Sequence, residues 1–379
     1  MILKRKIARV VPRGYRKLQK LKQELNALRV RRKGGSTIKK LAVDLTYECS
    51  LSCITCRCPD IAKSSYKKYH SLSLSDLSVI LYDFKKLGGK RVEFSGGEPF
   101  LHKEIGAILA TAKGMGFSVG ITSNHTLINT KNALYLSDYV DNIIFSLDGP
   151  SPEVHDVIRG QGAFKRAIEG RKILYNILNE RGKENIAEEI NCTISRYNCT
   201  SMIQMVEFAK EIGIKSVRFN YLSIVPDEID KKTSVVTGIP HKIDESHWSL
   251  DPSLFIPESL FEESRLNASS AVNRGRKIGV TVFLDTVFRA PGNAMKTGKF
   301  SLTKKPVCNA LWDEVGVLPN GSFFLCPMLQ HYCVENTEKI KLLDFINHPS
   351  RIRLQEIFEE KKQWLPICHY CCRHSKFTQ

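Results

Sequence analysis

From Lys40 to about residue 225 six short apolar, β-branched runs alternate with stretches of helical spacing between them. The runs fall at 41–46, 92–95, 118–122, 142–147, 190–194 and 216–222, and the helical periodicities at roughly 74–87, 104–115, 131–138, 163–179 and 200–212. Period-2 segments alternating with period-3.6 segments are the pattern of parallel strands joined by outer helices. A sheet covered by helices on one face curls toward a barrel and carries its site at the C-terminal strand ends. The predicted fold is therefore α/β, a partial (β/α)6 TIM-like barrel. Ser73 or Ser75 is expected to cap the first helix and Gly88-Gly89 to end it.

Around this core the chain divides into further pieces. Residues 1–40 read as a basic amphipathic arm, 41–225 as the core barrel, 226–304 as an insertion or lid with a helix (258–276) and a strand (279–284), and 305–379 as a small Cys-rich module of a β-hairpin plus helix. No apolar run reaches the roughly 18–20 residues that span a bilayer.

Charge separates the arm from the rest. Of 57 Lys and Arg against 39 Asp and Glu, the arm holds 15 basic residues and one acid, Glu24, leaving 42 against 38 elsewhere. In the arm Leu18, Leu21, Leu25 and Leu28 recur at helical spacing among Arg and Lys. A helix of this kind fits an anionic membrane surface, through residues 1–33, or nucleic acid; with Tyr15 as its one aromatic, the second would rest on phosphate contacts alone. The arm lacks the apolar stretch of a secretory signal, so a cytoplasmic protein is expected, with a peripheral place on the inner membrane surface if the arm binds lipid.

The twelve cysteines cluster, and in a reducing compartment clustered thiols favour metal over disulfides. Cys49, Cys53 and Cys56 form a C-x3-C-x2-C directly after the first strand. Three thiolates on one loop can hold three irons of a cubane and leave the fourth iron open. Zinc would need a fourth protein ligand nearby, for which Cys58 is awkwardly close to Cys56.

This motif, at the end of a first parallel strand, resembles that of the radical S-adenosylmethionine (SAM) superfamily. The resemblance implies a 4Fe-4S cluster on Cys49, Cys53 and Cys56 whose open iron binds SAM. It further implies one-electron cleavage of SAM to a 5′-deoxyadenosyl radical that abstracts hydrogen from substrate. Gly96-Gly97-Glu98-Pro99 after the second strand is similar to the family's Gly-Gly-Glu-Pro segment, with Glu98 as acceptor for the methionine ammonium. Thr122 and Asn124 on the third strand end, and Ser146 and Asp148 on the fourth, resemble polar positions that face the methionine or ribose. Arg159 resembles the residue that pairs with the methionine carboxylate. Thr193, Asn198, Asn220 and Tyr221 fit less specifically. Thr55 stands where many members have an aromatic that packs near the adenine, so that contact must come from elsewhere.

In the C-terminal module Cys308 precedes Cys326 and the pair Cys368 and Cys371, and Asn320-Gly321 signals a hairpin that returns Cys326 toward Cys308. Spacing alone leaves zinc open, since zinc ribbons use similar pairs. Beside such a core the pattern resembles the SPASM extension in its shortened "twitch" form, which implies a second, auxiliary 4Fe-4S cluster on these four. Cys333 and Cys372 stand as spare ligands, and Cys58, Cys192 and Cys199 as small apolar fillers.

Two clusters and one radical imply a two-electron oxidation or an epimerisation, with an electron donor of flavodoxin or ferredoxin type. The expected substrate is a polyol, sugar or carrier-linked small molecule. A ribosomally made peptide is the alternative, and a non-catalytic zinc-binding nucleic-acid-associated protein is the alternative of another class. No catalytic base is identified; Asp227, Glu228 and His241, in or near the insertion, are the candidates.

Overall fold

In the structure, a computed structural model, the described residues are 38–56, 58, 71–183, 186–222, 225–239, 251–289, 299, 308, 310–329, 340–359 and 364–371. The amphipathic arm, His241, Cys333 and Cys372 lie outside them, as do residues 240–250, 290–298 and 300–304 of the segment read as a lid.

The first strand, β1 (Lys40–Asp44), is followed by α1 (Leu74–Lys86), β2 (Arg91–Ser95), α2 (Ile105–Gly114), β3 (Ser118–Ser123), α3 (Thr130–Tyr139) and β4 (Asn142–Ser146). Two helices, α4 (Pro152–Arg159) and α5 (Ala163–Glu180), then lead to β5 (Ala187–Ile194), α6 (Met202–Glu211) and β6 (Ser216–Tyr221). After α7 (Asp227–Thr237) and α8 (Phe261–Ile278) comes β7 (Thr281–Leu284). The C-terminal part holds α9 (Ala310–Asp313), β8 (Glu314–Val317), β9 (Phe323–Phe324), α10 (Leu342–Ile346) and α11 (Pro349–Glu359).

All six expected strands form, and a seventh, β7, joins them. Strands β1 to β7 lie side by side in chain order and pair in parallel. Each crossover returns the chain to the next position, so every strand C-terminus lies along one edge of the sheet. The sheet is open rather than closed, running from β7 at one side to β9 at the other. Alternation sorts the side chains. Val43, Phe94, Ile121, Phe145 and Phe219 are fully buried in the clusters that contain the helices. The opposite face is polar: Lys40 pairs with Glu314 across β1 and β8, Arg218 with Glu189 across β6 and β5, and Asn220 donates to the Asn191 carbonyl.

Two local readings change. The helix α4 was not expected; its charged sequence has a strong apolar stripe, with His155 and Ile158 turned inward. Asp227 and Glu228 head α7, where the scattered charge concealed a helix that buries Ile229, Asp230, Thr233 and Thr237. Both are exposed, and Glu228 lies 3.6 Å from Lys232 one turn on.

The C-terminal hairpin forms where Asn320-Gly321 signals it: Gly316 and Val317 pair antiparallel with Phe324 and Phe323, and the Gly321 φ is +82°. It is not a detached module. Strand β8 pairs in parallel with β1, so the hairpin continues the barrel sheet. The segment 364–371 packs on α7, where the Ile367 N–H donates to Thr233 Oγ1 at 3.2 Å. Arg351, 3% exposed, ties this part together by donating to the Leu311 and Ile346 carbonyls at 2.9 and 3.0 Å. No described helix is long and apolar enough to cross a membrane.

Removing the Arg351 guanidinium takes the charged donor from the Ile346 carbonyl and leaves the Leu311 carbonyl with Gln355 Nε2 alone, at about 1.5–3 kcal/mol for charge-assisted bonds. Arg351→Met should therefore lower the urea midpoint seen by fluorescence of Trp312 and Trp364, which both pack on Phe358. An unchanged midpoint would show that those carbonyls find other partners.

Candidate metal and cofactor site

The loop after β1 carries Cys49, Cys53 and Cys56, and the loop after β2 is pressed against it. The Gly97 N–H donates to Thr46 O at 2.6 Å and the Glu98 N–H to Glu48 O at 2.8 Å. A Cβ on Gly97 would sit 2.1 Å from Glu48 O, and one on Gly96, whose φ is +117°, 2.4 Å from Thr46 O. The two glycines thus make room for the backbone of the cysteine loop.

Glu98 is also placed differently from expectation. Its carboxylate is 0% exposed and accepts from Phe100 N and Ser123 Oγ on Oε1, and from Asn124 N on Oε2. The last two bonds are 2.9 Å long and reach across to the end of β3. Burial pushes this carboxyl up to about 7 although its three donors oppose the shift. Glu98 thus ties the β1, β2 and β3 loops together. Pro99 starts a short 3-10 turn, 99–101, that Glu98 caps.

Asn124 is turned toward the cysteines. Its side-chain N–H2 donates to Cys49 Sγ at 3.7 Å and Ser50 Oγ at 3.3 Å, while its carbonyl accepts from Thr126. Thr122 and Ser146 are half-buried on the polar face of β3 and β4, and Ser146 lies beside Asn191 in register.

Asp148 and Arg159 meet directly. Arg159 Nε donates to Asp148 Oδ2 at 2.6 Å, and Thr193 N donates to Asp148 Oδ1 at 2.7 Å. Asp148 is wholly buried, and its carbonyl accepts from Asn198 Nδ2 at 2.8 Å. Thr193 and Asn198 therefore serve the aspartate. The Ile54 N–H donates to Ile158 O, which joins the cysteine loop to the end of α4 next to Arg159. Burial opposes the guanidinium charge, but Asp148 and the Cys53 and Cys56 thiols favour it.

The three thiols are thereby gathered beside one cation. Burial raises Cys49 and pushes Cys53 up to about 12; Arg159 works against the rise at both, and each is raised further by its neighbours, Cys56 among them. Thiols in this state are not activated nucleophiles, which have depressed pKa values. Among the described residues no three His, Cys, Asp or Glu are grouped to hold one metal ion. A single zinc needs its thiolates about 2.3 Å from one centre. A cubane spreads its thiolates over separate irons, the chemistry that a C-x3-C-x2-C set of three cysteines on one loop would serve.

Cys58 departs from its reading as an apolar filler. Its Sγ lies 3.7 Å from Gly96 O, and contact with Cys56 and burial raise its thiol. Cys192 and Cys199, 2% and 1% exposed, do lie in the core. Asp44, at the end of β1 on the polar face, was missed: burial lifts its carboxyl to about 7. Its place five residues before Cys49 was the available signal. The C-terminal cysteines are also brought together. Cys368 is raised by burial and by the charges of Cys326, Cys371 and Cys308, so all four share one neighbourhood.

Residues 43–186, from β1 almost to β5, match the model of the Radical SAM superfamily. The AdoMet-dependent heme synthase of Oleidesulfovibrio alaskensis is 28% identical over 192 residues, 50% of this chain and 47% of that protein. Mycofactocin maturase MftC of Mycolicibacterium smegmatis is 27% identical over 175 residues, 46% and 42% of the two chains. The chain thus spans about half the length of the curated relatives it matches. Streptococcus suis SuiB bound to precursor peptide SuiA shares the fold, with a TM-score of 0.62 at 16% identity over 97% of this chain and 79% of that one. The stretch that matches this superfamily model, residues 43–186, is the one that carries the strand-end cysteines, the glycine pair and the first four parallel strands.

Proposed function

We propose that the chain is a radical SAM enzyme that carries out a two-electron oxidation or an epimerisation. The observation that carries this reading is the grouping of Cys49, Cys53 and Cys56 on one loop, beside Arg159 and under the Asn124 amide. These three cysteines would hold a 4Fe-4S cluster with one iron open to SAM. When bound, cluster and SAM together supply a 5′-deoxyadenosyl radical, which takes a hydrogen atom from substrate. Arg159, fixed by Asp148, lends positive charge to the thiolates and to the carboxylate end of SAM. Ser146 and Thr122 line the polar face toward which SAM and substrate would extend. Cys308, Cys326, Cys368 and Cys371 would hold an auxiliary cluster able to take the second electron. A flavodoxin or ferredoxin would deliver the first.

The polar face favours an uncharged, hydroxyl-rich substrate, a polyol, sugar or carrier-linked small molecule. Its Asn191–Asn220 amide pair offers hydrogen bonds, while Glu189 and Arg218 neutralise each other. A peptide substrate is the second reading, favoured by the likeness to the maturase MftC and to SuiB with its precursor peptide. The basic arm, which carries most of the net charge, is assigned to the anionic surface of a membrane.

Anaerobically purified protein should carry about eight iron and eight sulfide per chain, the content of two cubanes. Reduced in the presence of SAM it should release 5′-deoxyadenosine, and Cys53→Ala should abolish that release. Deuterium transfer from labelled polyols or peptides then identifies the substrate class. One or two zinc with no sulfide would overturn the reading.

Arg159→Lys keeps the charge but not the Nε–H geometry toward Asp148. It should lower the rate of 5′-deoxyadenosine release about 10–100-fold, the usual effect of losing an outer-shell partner. A rate within twofold of the parent would remove Arg159 from the site.

Vesicles rich in phosphatidylserine should sediment the full chain at low salt and release it at high salt. Deleting residues 1–35 should abolish that binding; equal binding by the truncated chain would exclude the arm as the membrane contact.

A further inference from the structure

His125 is the one non-glycine residue with positive φ, +62°, among the described residues. That conformation costs an L-residue about 1–2 kcal/mol, which glycine avoids. The imidazole should therefore do something that a bare turn does not. It is 0% exposed and packs edge-on against Phe145 of β4, ring centroids 4.1 Å apart. Its carbonyl is pressed onto α5, where a Cβ on Gly170 would lie 2.1 Å from it.

Around the ring, hydrogen bonding is incomplete. His125 Nδ1 and Nε2, Glu188 Oε1 and Arg171 Nε are all buried without a hydrogen-bond partner. Nε2 faces Glu188 Oε1 at 3.9 Å, and Arg171 donates to the other Glu188 oxygen at 3.1 Å. Burial holds the imidazole neutral, lowered to about 3, and raises Glu188. Each buried polar atom left unbonded costs about 1–3 kcal/mol. A single water bonded to three such groups would remove most of that cost.

The other side of the same turn meets the cysteine loop. The His125 N–H donates to Ser123 Oγ at 3.0 Å, Ser123 and Asn124 both donate to Glu98, and Asn124 reaches Cys49 Sγ. We propose that His125 is a positioning residue: bridged through an enclosed water to Glu188 and Arg171, its imidazole anchors residues 123–126 so that Asn124 keeps its amide on Cys49. What Cys49 holds rests on the reading above; the anchoring does not.

The test uses the full chain, purified anaerobically, with two ring variants and one partner variant. His125→Gly relieves the backbone and deletes the ring, and His125→Phe keeps the contact with Phe145 but not the nitrogens. Arg171→Met/Glu188→Leu replaces the distant ion pair with apolar groups, an exchange that folds generally tolerate. All three should speed amide hydrogen exchange across residues 119–128 about tenfold, with exchange elsewhere and the melting temperature little changed. All three should also weaken SAM binding about tenfold, read from the change SAM makes in the electron paramagnetic resonance of the reduced cluster. Glu188→Gln, which keeps an acceptor for the bridge, should stay within twofold of the parent. Parent-like exchange in His125→Gly, or in Arg171→Met/Glu188→Leu, would overturn the proposal. If the parent takes up no iron, the reading of the site fails, while the exchange comparison still decides the role of His125.

Discussion

The candidate site depends on one buried carboxylate. Glu98 lies at the end of β2, and its backbone bonds the cysteine loop after β1 while its side chain bonds the turn after β3. Three parallel strands bring their C-termini to one edge, but adjacency alone would leave three independent loops. A carboxylate with three donors, in a place water does not reach, makes them one body. The glycine pair is the steric condition for this, because any side chain there would push the cysteine loop off the strand end. The requirement for Gly-Gly-Glu is thus met inside the protein before any ligand is considered.

A second buried ion performs the same task at the other side of the cysteines. Asp148 is held by Thr193 on β5 and Asn198 after it, and it fixes Arg159 close to the thiols. Burying a paired Asp and Arg contributes little net stability, since desolvation cancels most of the attraction. What it contributes is position, because a guanidinium held at its Nε stays in one place. The cysteine loop therefore lies between a buried carboxyl tie and a fixed cation.

Much of the fold was legible because the period-2 and period-3.6 patterns are local and the topology rules are few. All six expected strands appear, and Ser73 caps α1 as its position suggests, accepting from Asp76 N. Where the pattern was mixed, the reading failed. In α4 the charged residues hid the buried pair His155 and Ile158, and in α7 the polar residues Asp230 and Thr233 are themselves buried. The cysteine motif and the glycine pair were visible as residues, but the hydrogen bonds that Glu98 and Asn124 make to the protein were not. A side chain's direction depends on residues 25 to 75 positions away, which no local spacing encodes.

By itself the sequence determined the strand order of the core, the loops that bear the thiols and the separation of a basic arm from a nearly neutral body. Those follow from spacing, turn chemistry and charge count, each read over a few residues. Only the tertiary structure decided that the C-terminal hairpin pairs with β1 and so joins the barrel sheet. It alone gathered Cys308, Cys326, Cys368 and Cys371, and it alone placed His125 against Glu188. These are contacts between segments far apart in the chain, made because backbone edges and buried polar atoms must find partners wherever the fold brings them.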